Sequence, residues 1–331
     1  MPAVQRFFKT VMTGAVLLAV SASGLFNMAH AQTAWPSRPI KMMVPFAPGG
    51  SNDVLSRALA QRLAPRLGQP VIIENRGGAG GIVGTEAVTK STPDGYTLLF
   101  ISTAIATGSA LGSKLPYDVE RDLAPIGQIG STPLILLVSS TSKVKTQREL
   151  IELARANPTS ITYGSAGVGS MSHLGMELLA AEAKAQFLHV PYKGIADAFN
   201  DVIAGHLQIG LSTVASTKQL IDGGRLRALA VTSLQRSPFM PNLPTSAESG
   251  LPGFEIEFWW GLLAPARTPG AIIKRLNDEM NAILVQQDMH EQLSREAVVP
   301  RPGTPEDFRK LIASEVVRWT KLVKDANIKA Q

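Results

Sequence analysis

The sequence predicts an α/β protein with a parallel-rich sheet in each of two domains, the second domain inserted into the first. Three observations carry this expectation. Beyond residue 31, short β-rich runs alternate with amphipathic stretches, the order of strands joined by crossover helices. A charged and polar stretch, 139–149, and a proline- and glycine-rich one, 238–253, bracket a central block. An apolar run at 258–263 then returns in position to rejoin the first sheet.

Residues 1–31 read as an export signal. Arg6 and Lys9 precede an apolar run, 11–26, that is shorter than the about 20 residues a membrane helix needs, and the run ends in the small-residue pattern Ala29-His30-Ala31. Cleavage there makes Gln32 the first mature residue and the periplasm the expected compartment. The remainder is long enough for two hydrophobic cores. The expected division is 32–133 with 256–331 for the outer domain and 134–255 for the inserted one, with crossings near residues 134 and 256.

Composition narrows the function. The absence of cysteine excludes disulfides, thiol catalysis and a lipid on an N-terminal cysteine. The formal charge of +6 falls to +4 once Arg6 and Lys9 are removed, and the remaining basic residues are scattered. Nucleic-acid binding calls for a denser basic stripe, so no nucleic acid is expected as a partner.

Strands are expected at 40–46, 71–74, 97–101, 134–139, 160–163, 187–190, 207–211, 226–232 and 258–263. Val54, Leu55, Ala58, Leu59 and Leu63 share one helical face between the first two. Thr268-Pro269 and Thr304-Pro305 each place a hydroxyl before a proline, the start signal of a helix; Asp307 makes the second a capping box. The last helix runs to about Asp325.

Two strand-to-helix junctions carry the candidate chemistry. The first, after Phe46, is Pro48-Gly49-Gly50-Ser51-Asn52-Asp53: two glycines permit a tight turn, and the polar trio caps the helix that follows. The second is Ser165-Ala166-Gly167-Val168-Gly169-Ser170, with His173 in the next turn. Backbone N–H groups at a helix start, helped by the hydroxyls of Ser165 and Ser170, suit a carboxylate. His173 is expected to orient the loop by hydrogen bonding. Ser212 and Thr213 are further candidates for the pocket wall. The glycine-rich 77–84 segment departs from a dinucleotide fingerprint by one residue and lacks a P-loop ending. No histidine pair has metal-binding spacing, so neither metal nor cofactor is expected. Two competing functions remain: an exported α/β hydrolase using Ser165 or Ser170 with His173, and an interaction module whose glycine loops only build turns.

The ordered motifs resemble the receptors of tripartite tricarboxylate transporters, the Bug-type periplasmic solute-binding proteins. The shared pattern runs from Trp35-Pro36-Ser37-Arg38-Pro39-Ile40 through residues 48–53, Glu74-Asn75-Arg76, Gly78-Ala79-Gly80-Gly81, Pro93-Asp94-Gly95-Tyr96-Thr97, Tyr163-Gly164-Ser165, Pro191-Tyr192-Lys193-Gly194 and 226–232 to Arg318-Trp319. The resemblance implies a type II-like two-domain clamp, not an enzyme, acting as a monomer. It would close on a small organic acid, with dicarboxylates and aromatic carboxylates in view, and present it to an inner-membrane permease. It also implies that 48–53 holds the far end of the ligand, partly through water, while 165–170 holds a carboxylate directly. Gln208, Gly210-Leu211 and Ala297 depart from the family pattern, the first near an expected cleft wall.

Overall fold

The computed structural model describes residues 35–111, 115–158 and 160–328. The export signal expected at residues 1–31 lies outside them. Residues 38–331 form one unit, whose strands and helices follow the expected alternation.

The chain begins with β1 (Ile40–Val44), α1 (Ser51–Leu67), β2 (Val71–Asn75), α2 (Ile82–Thr89), β3 (Thr97–Ser102), α3 (Ala104–Ala110) and α4 (Val119–Asp122). Next comes β4 (Leu123–Ser139), followed by α5 (Gln147–Ala156), β5 (Thr162–Ser165), α6 (Met171–Ala183), β6 (Leu188–Pro191), α7 (Ile195–Ala204), β7 (Ile209–Thr213), α8 (Val214–Asp222) and β8 (Leu226–Val231). The last part holds β9 (Glu257–Pro265), α9 (Gly270–Leu284), α10 (Gln287–Arg295), β10 (Val299–Pro300) and α11 (Pro305–Asp325).

Two parallel trios form the frame. β2, β1 and β3 are parallel neighbours, as are β6, β5 and β7. Antiparallel strands join them: β3 pairs β9, β9 pairs the first part of β4, and the second part of β4 pairs β7 and β8. The switch is abrupt, since Pro133 faces Glu257 while Leu134 faces Thr213.

The apolar run 134–138 explains why β4 can serve as a spine. Leu134, Leu136 and Val138 enter one core cluster; Ile135 and Leu137 enter the other, with Phe199, Val202 and Val231. Alternate side chains of a strand face opposite sides, so a continuous apolar run marks a strand covered on both faces. Truncating one of these leucines to alanine would cost about 2–5 kcal/mol.

Several sequence expectations need correction. β4 begins at Leu123, well before 134: Pro125, Gly127 and Gly130 are absorbed where its register against β9 shifts, and Pro133 pairs in register with Glu257 at the end of that ladder. The 139–149 bracket is not all linker: α5 starts within it at Gln147, with the Thr146 side chain accepting from Glu149 N–H. Thr268 is not a cap, because its hydroxyl donates to the Pro265 carbonyl at 2.7 Å. Thr304 and Asp307 do form the reciprocal capping box.

Candidate functional site

The 48–53 junction is built around Asp53, which is buried at the start of α1. Gly49 N–H donates to Asp53 Oδ2 at 3.0 Å, Asn75 Nδ2 to Oδ1 at 2.9 Å, and Arg57 Nη2 lies 2.9 Å from Oδ1. Asn75 Nδ2 also donates to the Phe46 carbonyl at 3.2 Å. The Arg57 guanidinium holds the Asp53 carboxyl below its ordinary range, against the opposing effect of burial. Asp53 therefore stays ionised and fixes the loop, while the half-exposed Arg57 is neutralised rather than offered to a ligand.

The second junction is held from behind. Ser170 caps α6, its hydroxyl accepting from His173 N–H and donating to the Gly167 carbonyl at 2.7 Å. His173 Nδ1 accepts Gly169 N–H at 3.1 Å, Ser172 Oγ accepts Ala166 N–H at 3.0 Å, and Ser165 Oγ accepts Gly167 N–H at 3.1 Å. The loop donors anticipated from sequence are thus largely engaged within the protein. The N–H groups of Met171 and Ser172, in the first helical turn, have no carbonyl four residues back inside the helix.

His173 and His189 stack with centroids 4.1 Å apart, and the Tyr163 ring stacks with both, 4.9 Å from His189 and 6.5 Å from His173. Burial lowers the His173 pKa to about 4, with His189 adding to the effect, and burial lowers His189 as well. Both rings are neutral at neutral pH, which is the state in which His173 Nδ1 accepts from Gly169.

The hydrolase geometry expected from Ser165 or Ser170 with His173 is absent from these contacts, since His173 Nδ1 takes a backbone N–H. Ser165 meets His189 instead, Oγ to Nε2 at 2.6 Å, but Ser165 is 0% exposed and closed off from the cleft. A serine without access to a carbonyl carbon is a support for the loop.

The two junctions face a shared cavity of about 720 Å³. Phe46 and Asn52 line it from the first junction; Ala166, Gly167, Gly169 and Ser170 line it from the second. A second cavity, of about 390 Å³, has Ser51 and Thr213 in its wall, and Phe258 borders both. Pro48, Gly49 and Gly50 are exposed and lie in neither lining; Ser212 is buried beside Thr213.

Sequence reasoning missed much of the wall. A 3₁₀ turn at Ala79–Gly81 and the start of α2 enter the larger cavity, as do α3 residues such as Ile105. Gly84 brings that segment close: a Cβ there would lie 2.6 Å from the Arg76 carbonyl and 2.7 Å from Pro45 Cβ. The order of glycines after a strand was the available signal. Gln208 moves the other way. Its Oε1 accepts from Thr162 N–H at 2.8 Å, at the start of β5, whereas the loop follows the end of that strand.

Comparison with known proteins now identifies the fold's lineage. The tripartite tricarboxylate transporter family receptor model matches residues 55–328. This chain belongs to that family. The periplasmic binding protein BugD is similar in structure: 34% identity, TM-score 0.74, with 90% of this chain and all of that one covered. An R. palustris protein solved with adipate is 34% identical with a TM-score of 0.77, covering 89% of this chain and 99% of that one. MatC from Rhodopseudomonas palustris, solved with malate, is 31% identical with a TM-score of 0.74, covering 87% and 100%. These neighbours are binding proteins of the receptor type, and the Bug-type assignment drawn from the motifs stands.

Proposed function

We propose that this chain is a periplasmic receptor that captures a small organic carboxylate between two lobes and delivers it to a tripartite tricarboxylate-type membrane permease. The observation that carries the reading is the convergence of two helix-start loops, 48–53 and 165–170, on one cavity. Helix starts favour negative charge, and neither loop contains a basic residue. The adipate- and malate-bound relatives support the same ligand class. Residues 32–133 and 256–331 make one lobe and 134–255 the other. Ser170 and the first turn of α6 meet the carboxylate, Asn52 faces its far end, and Ser165 and His173 hold the loop in place. The export signal in residues 1–31 supports the periplasmic site of action, and the protein works without catalysis.

Thermal unfolding of the purified protein against a panel of organic acids tests this directly, because a ligand that binds only the folded state raises the transition temperature. Carboxylates should give the response. Stabilisation by sugars or cationic amino acids alone would refute the assignment.

A further inference from the structure

The 165–170 loop owes its shape to side chains behind it, and for His173 that support depends on which ring nitrogen carries the proton. His173 Nδ1 accepts Gly169 N–H at 3.1 Å. A neutral imidazole has one donor nitrogen and one acceptor, so this contact places the ring proton on Nε2. In the other tautomer two N–H groups would meet head-on. Gly169, with no side chain to hold it at its φ of 80°, would then turn its N–H away.

Nε2 faces Glu177. The two residues stand one turn apart on α6, and Nε2 lies 4.0 Å from Glu177 Oε1. That is beyond hydrogen-bond reach, but His173 is buried, and in such surroundings a carboxylate oxygen favours the tautomer that turns N–H toward it. Glu177 is itself held: Tyr163 OH, from β5, donates to the same Oε1 at 2.6 Å. Burial, and then Glu177, push the Tyr163 hydroxyl above its ordinary range, so it stays a donor. Glu177 borders neither cavity.

The other glycine amide of the loop also points inward, Gly167 N–H donating to Ser165 Oγ. Between the two, among the described residues, nothing takes the Val168 N–H, and Val168 lines the larger cavity. The donors left for a ligand are thus set by which amides the protein keeps for itself.

We propose that Glu177 is a positioning residue: by fixing the His173 proton on Nε2 it keeps Gly169 N–H turned into the protein and leaves Val168 and the start of α6 to meet the ligand. This rests on the carboxylate-receptor reading only for what the loop binds; the state of the loop can be read without a ligand.

Nitrogen NMR of the purified protein at neutral pH, with the His173 signals identified by their loss in His173→Asn, reports the tautomer. The parent should show a protonated Nε2 and an unprotonated Nδ1; the reverse would overturn the proposal. Glu177→Leu should give a mixture of tautomers and exchange of the Gly169 amide about tenfold faster relative to amides of β4. Calorimetry should show adipate or malate binding about tenfold more weakly, the scale of one buried group losing its partner. Glu177→Gln, whose amide oxygen can stand where the carboxylate oxygen does, should restore all three readouts. If the leucine variant does not fold, Tyr163→Phe combined with Glu177→Leu, which strands no hydroxyl, takes its place. A folded variant with the ring signals of the parent, or with altered ring signals and unchanged Gly169 exchange or affinity, would overturn the role of Glu177. A parent that binds neither acid would count against the carboxylate reading, while the ring signals and the Gly169 exchange would still decide the role of Glu177.

Discussion

Thr232 holds the backbone of Leu134 at both of its polar groups: Leu134 N–H donates to Thr232 Oγ1 at 2.9 Å, and the Leu134 carbonyl accepts Thr232 N–H at 2.9 Å. The same hydroxyl donates to the Ile256 carbonyl at 2.6 Å, and Ile256 N–H returns a bond to Thr232 O. One buried side chain thus ties together the end of β8, the approach to β9 and the point where β4 changes partners.

Thr232→Val should destabilise the fold, because it leaves the Leu134 N–H and the Ile256 carbonyl without their partner in a buried place. The expected loss is about 1–3 kcal/mol for each group left unsatisfied. Urea unfolding measures it, and Thr232→Ser, which keeps the hydroxyl, should lose much less. Equal stability of the valine variant would show that these bonds carry no net weight.

Closure of the lobes should follow ligand binding. Small-angle scattering with a saturating carboxylate is expected to show a smaller radius of gyration than the free protein, the signature of hinge closure. An unchanged profile at saturation would reject a large rotation.

Ser170→Ala should weaken carboxylate binding by about 1–3 kcal/mol, the hydroxyl turning on binding from the Gly167 carbonyl, which it meets in the free protein, to the ligand. It also removes the cap of α6, so a stability loss of about 1 kcal/mol accompanies it. Calorimetry separates the two when run well below the unfolding transition. Arg57→Ala, whose guanidinium is already bound to Asp53, should alter affinity less.

Acid should destabilise the protein through the stacked histidines. Burial lowers the folded pKa of His173 from its ordinary 6.5 to about 4. Between these values the unfolded chain binds a proton that the folded one refuses, so stability is full above 6.5 and falls as pH drops toward 4. The slope from one group is at most roughly 1.4 kcal/mol per pH unit, and His189 adds in the same direction. His173→Asn keeps an acceptor for Gly169 N–H and should flatten the decline in urea midpoints from pH 6.5 to 4. The same slope in both proteins would assign the acid limb to other groups.

Ala297→Gly should raise stability. Ala297 has φ of 52°, in the left-handed region, where a Cβ costs roughly 1–2 kcal/mol. The greater freedom of glycine in the unfolded chain offsets about 0.4–1 kcal/mol of that, leaving a net gain below about 1.5 kcal/mol. Thermal and urea midpoints should both rise; a fall would mean that the Ala297 methyl, buried against the second core, packs too well to lose.

The strands and both helix-start loops were legible because periodicity and glycines are local signals; the expected hydroxyl cap holds for Ser170 on α6 but not for Ser51, Asn52 or Asp53 on α1, which starts after Gly50 with no side-chain cap. The departure at Ala297 was visible only through the family resemblance, and its φ of 52° in the structure supplies the physical reason that glycine suits the position. The first part of β4 was hidden by its prolines and glycines, which interrupt a strand pattern until the partner strand shows Pro125, Gly127 and Gly130 at register shifts and Pro133 paired with Glu257. The cavity wall was hidden for another reason. Ile82, Ile105 and Leu111 carry the chemistry of ordinary core residues, and only the packing of separate segments leaves them facing empty space. Engagement of the loop donors by Ser165, Ser172 and His173 is local, but the spacing alone does not say whether these side chains turn to the loop backbone or to a ligand.

The continuity of β4 sets the mechanics of the molecule. A linker of coil would let two bodies swivel freely about a point, but a strand of 17 residues that pairs along both halves behaves as a leaf spring. Rotation has to be taken up as extra twist and bend distributed over neighbouring residues, with the register shifts at 125–130 and at Leu136/Leu137 as its compliant sections. Such a spring would return to its resting shape without re-forming any pairing, so reopening after the proposed closure would need no repair of the sheet.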